Sequence, residues 1–170
     1  MKLSSVITEA RRLLQDNTVP YRYSDAVLLG FANQALKRMA VLRPDLFAYL
    51  TTIPTVAGTN IQSIPSDGIR IMEIFQVDGG QAVTEASRES LDETYPGWMN
   101  VDAGECVNWM RHTRNQTKFF IYPKAPVGQT LVAEYAQAPR DYTADEDVAL
   151  LSDAYFPVVL DGAVYLAETI

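Results

Sequence analysis

The hydrophobic period of this chain changes twice, from about 3.6 residues to about 2 near residue 47 and back again after residue 147. A chain patterned this way has to bury helical stripes at its two ends and alternating strands in between. From Ser4 to Gln15 the apolar positions Val6, Ile7, Ala10, Leu13 and Leu14 share one helical face, with Ser4 or Ser5 available as cap. Ser24-Asp25 opens a second helix, the serine as N-cap and the aspartate where the helix dipole favours an anion. Leu28, Leu29, Ala32, Leu36, Met39 and Ala40 mark its buried side, and Arg43-Pro44 ends it. Ser152-Asp153 is placed to cap a closing helix whose apolar residues are Val158, Val159, Ala163, Val164 and Leu166. No Gly, Asn or Pro stop signal lies near the end of that helix: either it frays there or the natural chain is longer, and an unfinished helix is compatible with a C-terminal arm that orders on a partner.

Between the helices the runs Thr51–Ile53, Ile61–Ile64, Ile69–Val77 and Gln81–Thr84 read as strands. Asp78-Gly79-Gly80 is a hairpin signal, because glycine tolerates the positive φ of a tight turn. A short helix is expected over Arg88–Tyr95, then strands over Val107–Thr113, Lys118–Tyr122 and Thr130–Tyr135. The fold class is therefore α+β: an antiparallel helical bundle, two N-terminal helices plus the C-terminal one, with an inserted small antiparallel β-sheet or barrel. Residues 1–46 and 148–170 form the bundle and 47–147 the β-rich insertion, within one structural unit. At 170 residues the chain is long enough to bury roughly 70% of its unfolded surface.

Charge is uneven along the sequence. Residues 1–46 carry seven basic and four acidic side chains, residues 47–147 seven and fourteen, and residues 148–170 none and three, within a net charge of -7. Such a chain can offer one basic and one acidic surface to different neighbours or to copies of itself. An acidic chain is a poor nucleic-acid wrapper, since phosphate is bound by Lys and Arg. No apolar run approaches the ~20 residues of a membrane span, and no leader peptide is expected at Met1.

Catalytic signatures are absent. His112 is the sole histidine, flanked by Arg111 and Arg114, and reads as a surface or packing residue. Cys106 has no CxxC or histidine companion and reads as a plain thiol, with no internal disulfide possible. Asp141, Asp145, Glu146 and Asp147 lack the spacing of a calcium loop and read as a solvated loop. Asn115-Gln116-Thr117 reads as a turn. Trp98, Trp109, Phe119, Phe120 and Tyr122 are assigned to core or interface packing rather than to base stacking. No catalytic, cofactor-binding or metal residue is proposed, and no cofactor is expected.

Five segments follow one another in a telling order. They are Tyr23–Leu29 continuing to Asn33 and Leu42-Arg43-Pro44-Asp45; Val56–Thr59 with Ile64-Pro65-Ser66-Asp67-Gly68 to Ile74; Leu91-Asp92 with Tyr95-Pro96-Gly97-Trp98; Phe119–Pro126; and Glu134–Pro139. In this order they resemble the head-to-tail adaptor (connector, neck) proteins of short-tailed and related tailed bacteriophages.

That resemblance implies a non-enzymatic virion protein. Its expected partners are the portal protein, copies of itself in a ring that is usually twelve-fold, and a downstream tail or nozzle protein. Double-stranded DNA would pass through the channel without sequence-specific binding, and no membrane is involved. The location implied is the neck between capsid and tail, with assembly in the host cytoplasm. An acidic β region would suit a channel wall on which DNA slides without sticking. The alternatives are another tail-completion or tail-tube-associated component, or an unrelated protein-binding module.

Overall fold

The computed structural model describes residues 1–169; Ile170, the last residue of the closing-helix segment, lies outside them. Among the described residues the fold is α+β, with four α-helices and two sheets. It divides into two compact units, one made of Met1–Phe47 with the segment from Ala138 onward, the other of Ala48–Gln137.

In the helical unit, α1 (Leu3–Leu13), α2 (Asp25–Leu42) and α4 (Phe156–Glu168) pack on one another in pairs. α1 buries Leu3, Val6, Ile7 and Ala10, the expected stripe moved one turn towards the N-terminus, and Leu13 is left exposed. Neither serine caps it. The helix starts at Leu3 after an extended Lys2, and the free N–H of Ser4 donates to the Ala144 carbonyl at 2.8 Å, so no side-chain cap is needed. α2 begins as its sequence predicts, with Ser24 Oγ accepting from the Val27 N–H and Asp25 in the first turn. It ends at Arg43, where Pro44 begins a short 3-10 turn. Ser152 caps a second such turn, Asp153–Tyr155, which leads into α4. α4 buries Val159, Leu160, Ala163, Leu166 and Ala167. Val158, read as a core residue, points outward instead, and Val164 is only half-buried. α2 and α4 approach closely at Gly162, where an added Cβ would stand 2.9 Å from the Ala35 Cβ.

The second unit holds two sheets and no closed barrel. In the first, β1 (Ala48–Pro54), β7 (Thr130–Gln137) and β3 (Gly68–Val77) run antiparallel in the order β1-β7-β3. β3 spends ten residues against seven of β7 through three register shifts, each of which bends a strand. The second sheet has the order β2-β6-β5-β4, with β2 (Ile61–Ser63), β4 (Thr84–Glu85), β5 (Asn108–Arg111) and β6 (Lys118–Tyr122). Its β4–β5 pair is parallel, so the sheet is mixed where an antiparallel one was expected.

Closure fails at the free edge of β3. There the Ile71 and Met72 carbonyls accept from the Arg111 guanidinium at 3.2 and 2.5 Å, while Val83 N–H reaches the Phe75 carbonyl at 2.9 Å. A side chain and a short return segment take the places a closing strand would need. The hairpin at Asp78–Gly80 is formed, with Gly79 at φ +71.

One core joins the sheets: Ile53, Ile71, Ile74, Leu131, Ala133 and Tyr135 from the first meet Trp109, Phe119 and Ile121 from the second. The opposite face of β5 and β6 is covered too. Met110 and Phe120 pack with Trp98 beneath α3 (Arg88–Thr94), which explains why Phe119-Phe120-Ile121 is apolar without alternation.

Candidate interaction surfaces

The histidine, cysteine and aromatic residues named above each have packing or hydrogen-bond partners. His112 Nδ1 accepts the backbone N–H groups of Arg114 (3.2 Å) and Asn115 (3.1 Å), and its ring stacks on Phe120 at 5.4 Å. Cys106 is fully enclosed; burial pushes its thiol up to about 12, which leaves no thiolate at neutral pH. Trp98, Trp109, Phe119 and Phe120 are buried and Tyr122 half-buried, so they pack rather than present faces to bases. Asn115 Oδ1 accepts from the Thr117 N–H at 3.0 Å and so forms the expected turn.

The acidic loop is more ordered than a merely solvated one. Glu146 accepts from the Thr143 N–H (2.8 Å) and from Arg140 (2.9 Å), while Asp141 meets Lys37 at 2.6 Å. Among the described residues no cluster of three His, Cys, Asp or Glu side chains is placed to hold a metal. No described helix is long and apolar enough to cross a membrane.

The five ordered segments acquire physical roles. Asn33, buried in α2, donates from Nδ2 to the Tyr142 carbonyl and accepts the Tyr142 N–H at Oδ1, both at 2.9 Å. Gly68 closes a turn onto the Pro65 carbonyl, and an added Cβ there would lie within 3.0 Å of both Ile64 and the Tyr135 ring. Asp67 accepts from Tyr135 Oη (3.1 Å) and Gln137 Nε2 (2.5 Å), and Tyr49 Oη lies 2.7 Å from Tyr135 Oη. Burial, then these two partners, raise the Tyr135 phenol above its ordinary value. Asp92 accepts from Trp98 Nε1 at 2.7 Å, fixing the lid over Phe120.

Among the buried amides that sequence reasoning missed are Gln62 and Asn60. Gln62 holds Val56 and Thr59 through three hydrogen bonds, and Asn60 donates to the Ile121 carbonyl. Their only sequence signal is the neighbouring Ala57-Gly58 turn, where Gly58 sits at φ +75.

Among the described residues, two helix faces stand unpartnered. On α2, Lys37, Arg38, Val41 and Leu42 line an open groove; Val41 is 72% and Leu42 79% exposed, and Arg38 has no ion-pair partner among the described residues. On α4, Val158, Asp161, Tyr165 and Glu168 form the outward stripe at i, i+3, i+7 and i+10, with Val158 53% and Tyr165 60% exposed. One face is basic and apolar, the other acidic and apolar.

A family model described as SU10 adaptor protein matches residues 1–170. The chain belongs to the SU10 adaptor protein family, a family of phage head-to-tail adaptors. A search of curated proteins returns no match. Membership in the SU10 adaptor family implies a structural phage protein of the virion neck that interacts with portal and tail proteins. For a SU10 adaptor, open helix faces and occupied polar side chains are the informative features, since assembly requires surface rather than a reaction centre.

Proposed function

We propose that this SU10 adaptor is a subunit of a ring beneath the portal that extends the DNA channel and offers a docking surface to the tail. The single observation that carries the ring is the pairing of unlike faces on one helical unit: Arg38 with Val41 and Leu42 on α2, Asp161 and Glu168 with Val158 and Tyr165 on α4. A ring needs head-to-tail contacts, in which one surface of each copy meets a different surface of the next. Two like faces would favour a closed dimer instead. In this reading the three long helices act as an antiparallel bundle into which the β-rich segment is inserted. Residues 48–137 carry ten acidic and six basic side chains, which suits a wall that DNA passes without adhering. Assembly takes place in the host cytoplasm, and the ring follows the symmetry of the portal, usually twelve-fold.

The test is to mix the purified protein with the portal of the same phage and measure the mass and rotational symmetry of the product. A ring stacked on the portal at equal copy number is expected. A protein that stays monomeric alone is consistent with assembly on the portal, whereas absence of binding at every salt concentration overturns the proposal.

A further inference from the structure

The β unit is acidic, yet four of its six Lys and Arg residues gather at one place. The segment Arg111-His112-Thr113-Arg114-Asn115-Gln116-Thr117-Lys118 connects β5 to β6 with three cations and no acid. Together with Arg70 of β3 it bounds a notch of about 240 Å³ lined by Arg70, Arg111, His112, Thr113, Gln116 and Lys118.

Every polar side chain lining it is a donor or can act as one. Arg111 is fixed by Glu85 at 2.7 Å and by the two β3 carbonyls, which anchors the floor and neutralises the only carboxylate paired with it. His112 spends Nδ1 as an acceptor of two backbone N–H groups, so the neutral ring carries its proton on Nε2. Arg70 and Lys118 have no ion-pair partner among the described residues. The Thr113 hydroxyl and Gln116 amide complete a donor-rich rim.

We propose that this notch is an oxyanion site for a phosphate group, of the kind a DNA backbone presents. Arg70 and Lys118 supply the uncompensated charge, and the His112-ordered turn supplies fixed geometry. In an acidic unit one such notch would hold a passing duplex at a single point while the surrounding carboxylates keep it from adhering elsewhere. The oxyanion chemistry stands by itself. Only DNA as the source rests on the adaptor reading.

The test uses the full chain, isotopically labelled, with inorganic phosphate added at constant ionic strength and chloride as the control. Backbone amide resonances of residues 112–118 and of Arg70 should shift saturably with phosphate and not with chloride. Arg70→Gln with Lys118→Gln should weaken binding about tenfold or more, while Lys124→Gln, which removes a cation outside the notch, should leave it unchanged. A short blunt duplex should compete at the same amides, with a salt slope that falls by about 0.9 for each phosphate contact removed.

Phosphate binding without duplex competition would support the oxyanion site and overturn DNA as its source. No phosphate-specific shift, an equal loss in Lys124→Gln, or a saturable response to a glutamate-rich peptide alone would overturn the site. Because the chain is unassembled in this experiment, its failure leaves ring formation on the portal untouched, and the reverse also holds.

Discussion

Asn33→Ala tests whether the α2 asparagine holds the chain's return from the strands onto the helices. The side chain satisfies both backbone groups of Tyr142 at 2.9 Å, and Asn33 and Tyr142 are both buried. Removing the amide strands one N–H and one carbonyl, each costing about 1–3 kcal/mol where water cannot replace the partner. The expected loss is therefore about 2–6 kcal/mol. With a urea dependence on the order of 2 kcal/mol per molar, the midpoint falls by about 1–3 M.

The assay is urea unfolding followed by far-UV circular dichroism for the helices and by tryptophan fluorescence for the β unit, since both tryptophans, Trp98 and Trp109, lie there. Asn33→Asp sharpens the test. It keeps an acceptor for the Tyr142 N–H but at neutral pH sets a carboxylate against the Tyr142 carbonyl. Protonation restores a donor, so its deficit relative to the natural protein should narrow as pH falls. A helical midpoint that moves by less than the fitting error in Asn33→Ala would refute the reasoning, as would an Asn33→Asp deficit that does not depend on pH.

Gly162→Val forces methyl groups into the α2–α4 contact at Ala35 and should cost about 1–3 kcal/mol by thermal unfolding, partly restored by Ala35→Gly. Cys106, enclosed and with its thiol raised to about 12, should not react with a disulfide reagent at pH 8 until denaturant is added. Glu146 is held below its ordinary value by the Thr143 N–H first and then by Arg140. Its contribution to stability is therefore complete above the ordinary carboxylate range and lost as pH falls through the lowered value. Glu146→Gln should flatten that part of the acid-unfolding profile.

What was legible in the sequence was local. Ser24 as a cap, Pro44 as a stop, the glycine hairpin at 78–80 and the strand Lys118–Tyr122 follow from residues within a few positions of one another. Periodicity finds the helix faces but not where their partners end, so Leu13 and Val158 fit the core stripes by spacing and stand exposed. The two-sheet arrangement depends on long-range competition at the β3 edge, where Arg111 takes carbonyls from residues about forty positions away. No local pattern carries that.

The charge counts pointed to unlike surfaces at the two ends of the chain. They do not distinguish Lys37, tied to Asp141, from Arg38, which has no ion-pair partner among the described residues. The polar loop organisers Gln62 and Asn60 were hidden for a related reason: an amide reads as surface until its partners are known.

The most direct test of the account exchanges charge across the proposed contact between copies and measures assembly on the portal. Arg38→Glu and Asp161→Arg, each alone, should abolish the ring, because each sets like charges against one another at every junction. The two together recreate an opposite pair at each junction and should restore a symmetric ring of the natural mass. Rings that form equally well in both single variants, or a double variant that fails while remaining folded, would contradict assembly through these helix faces.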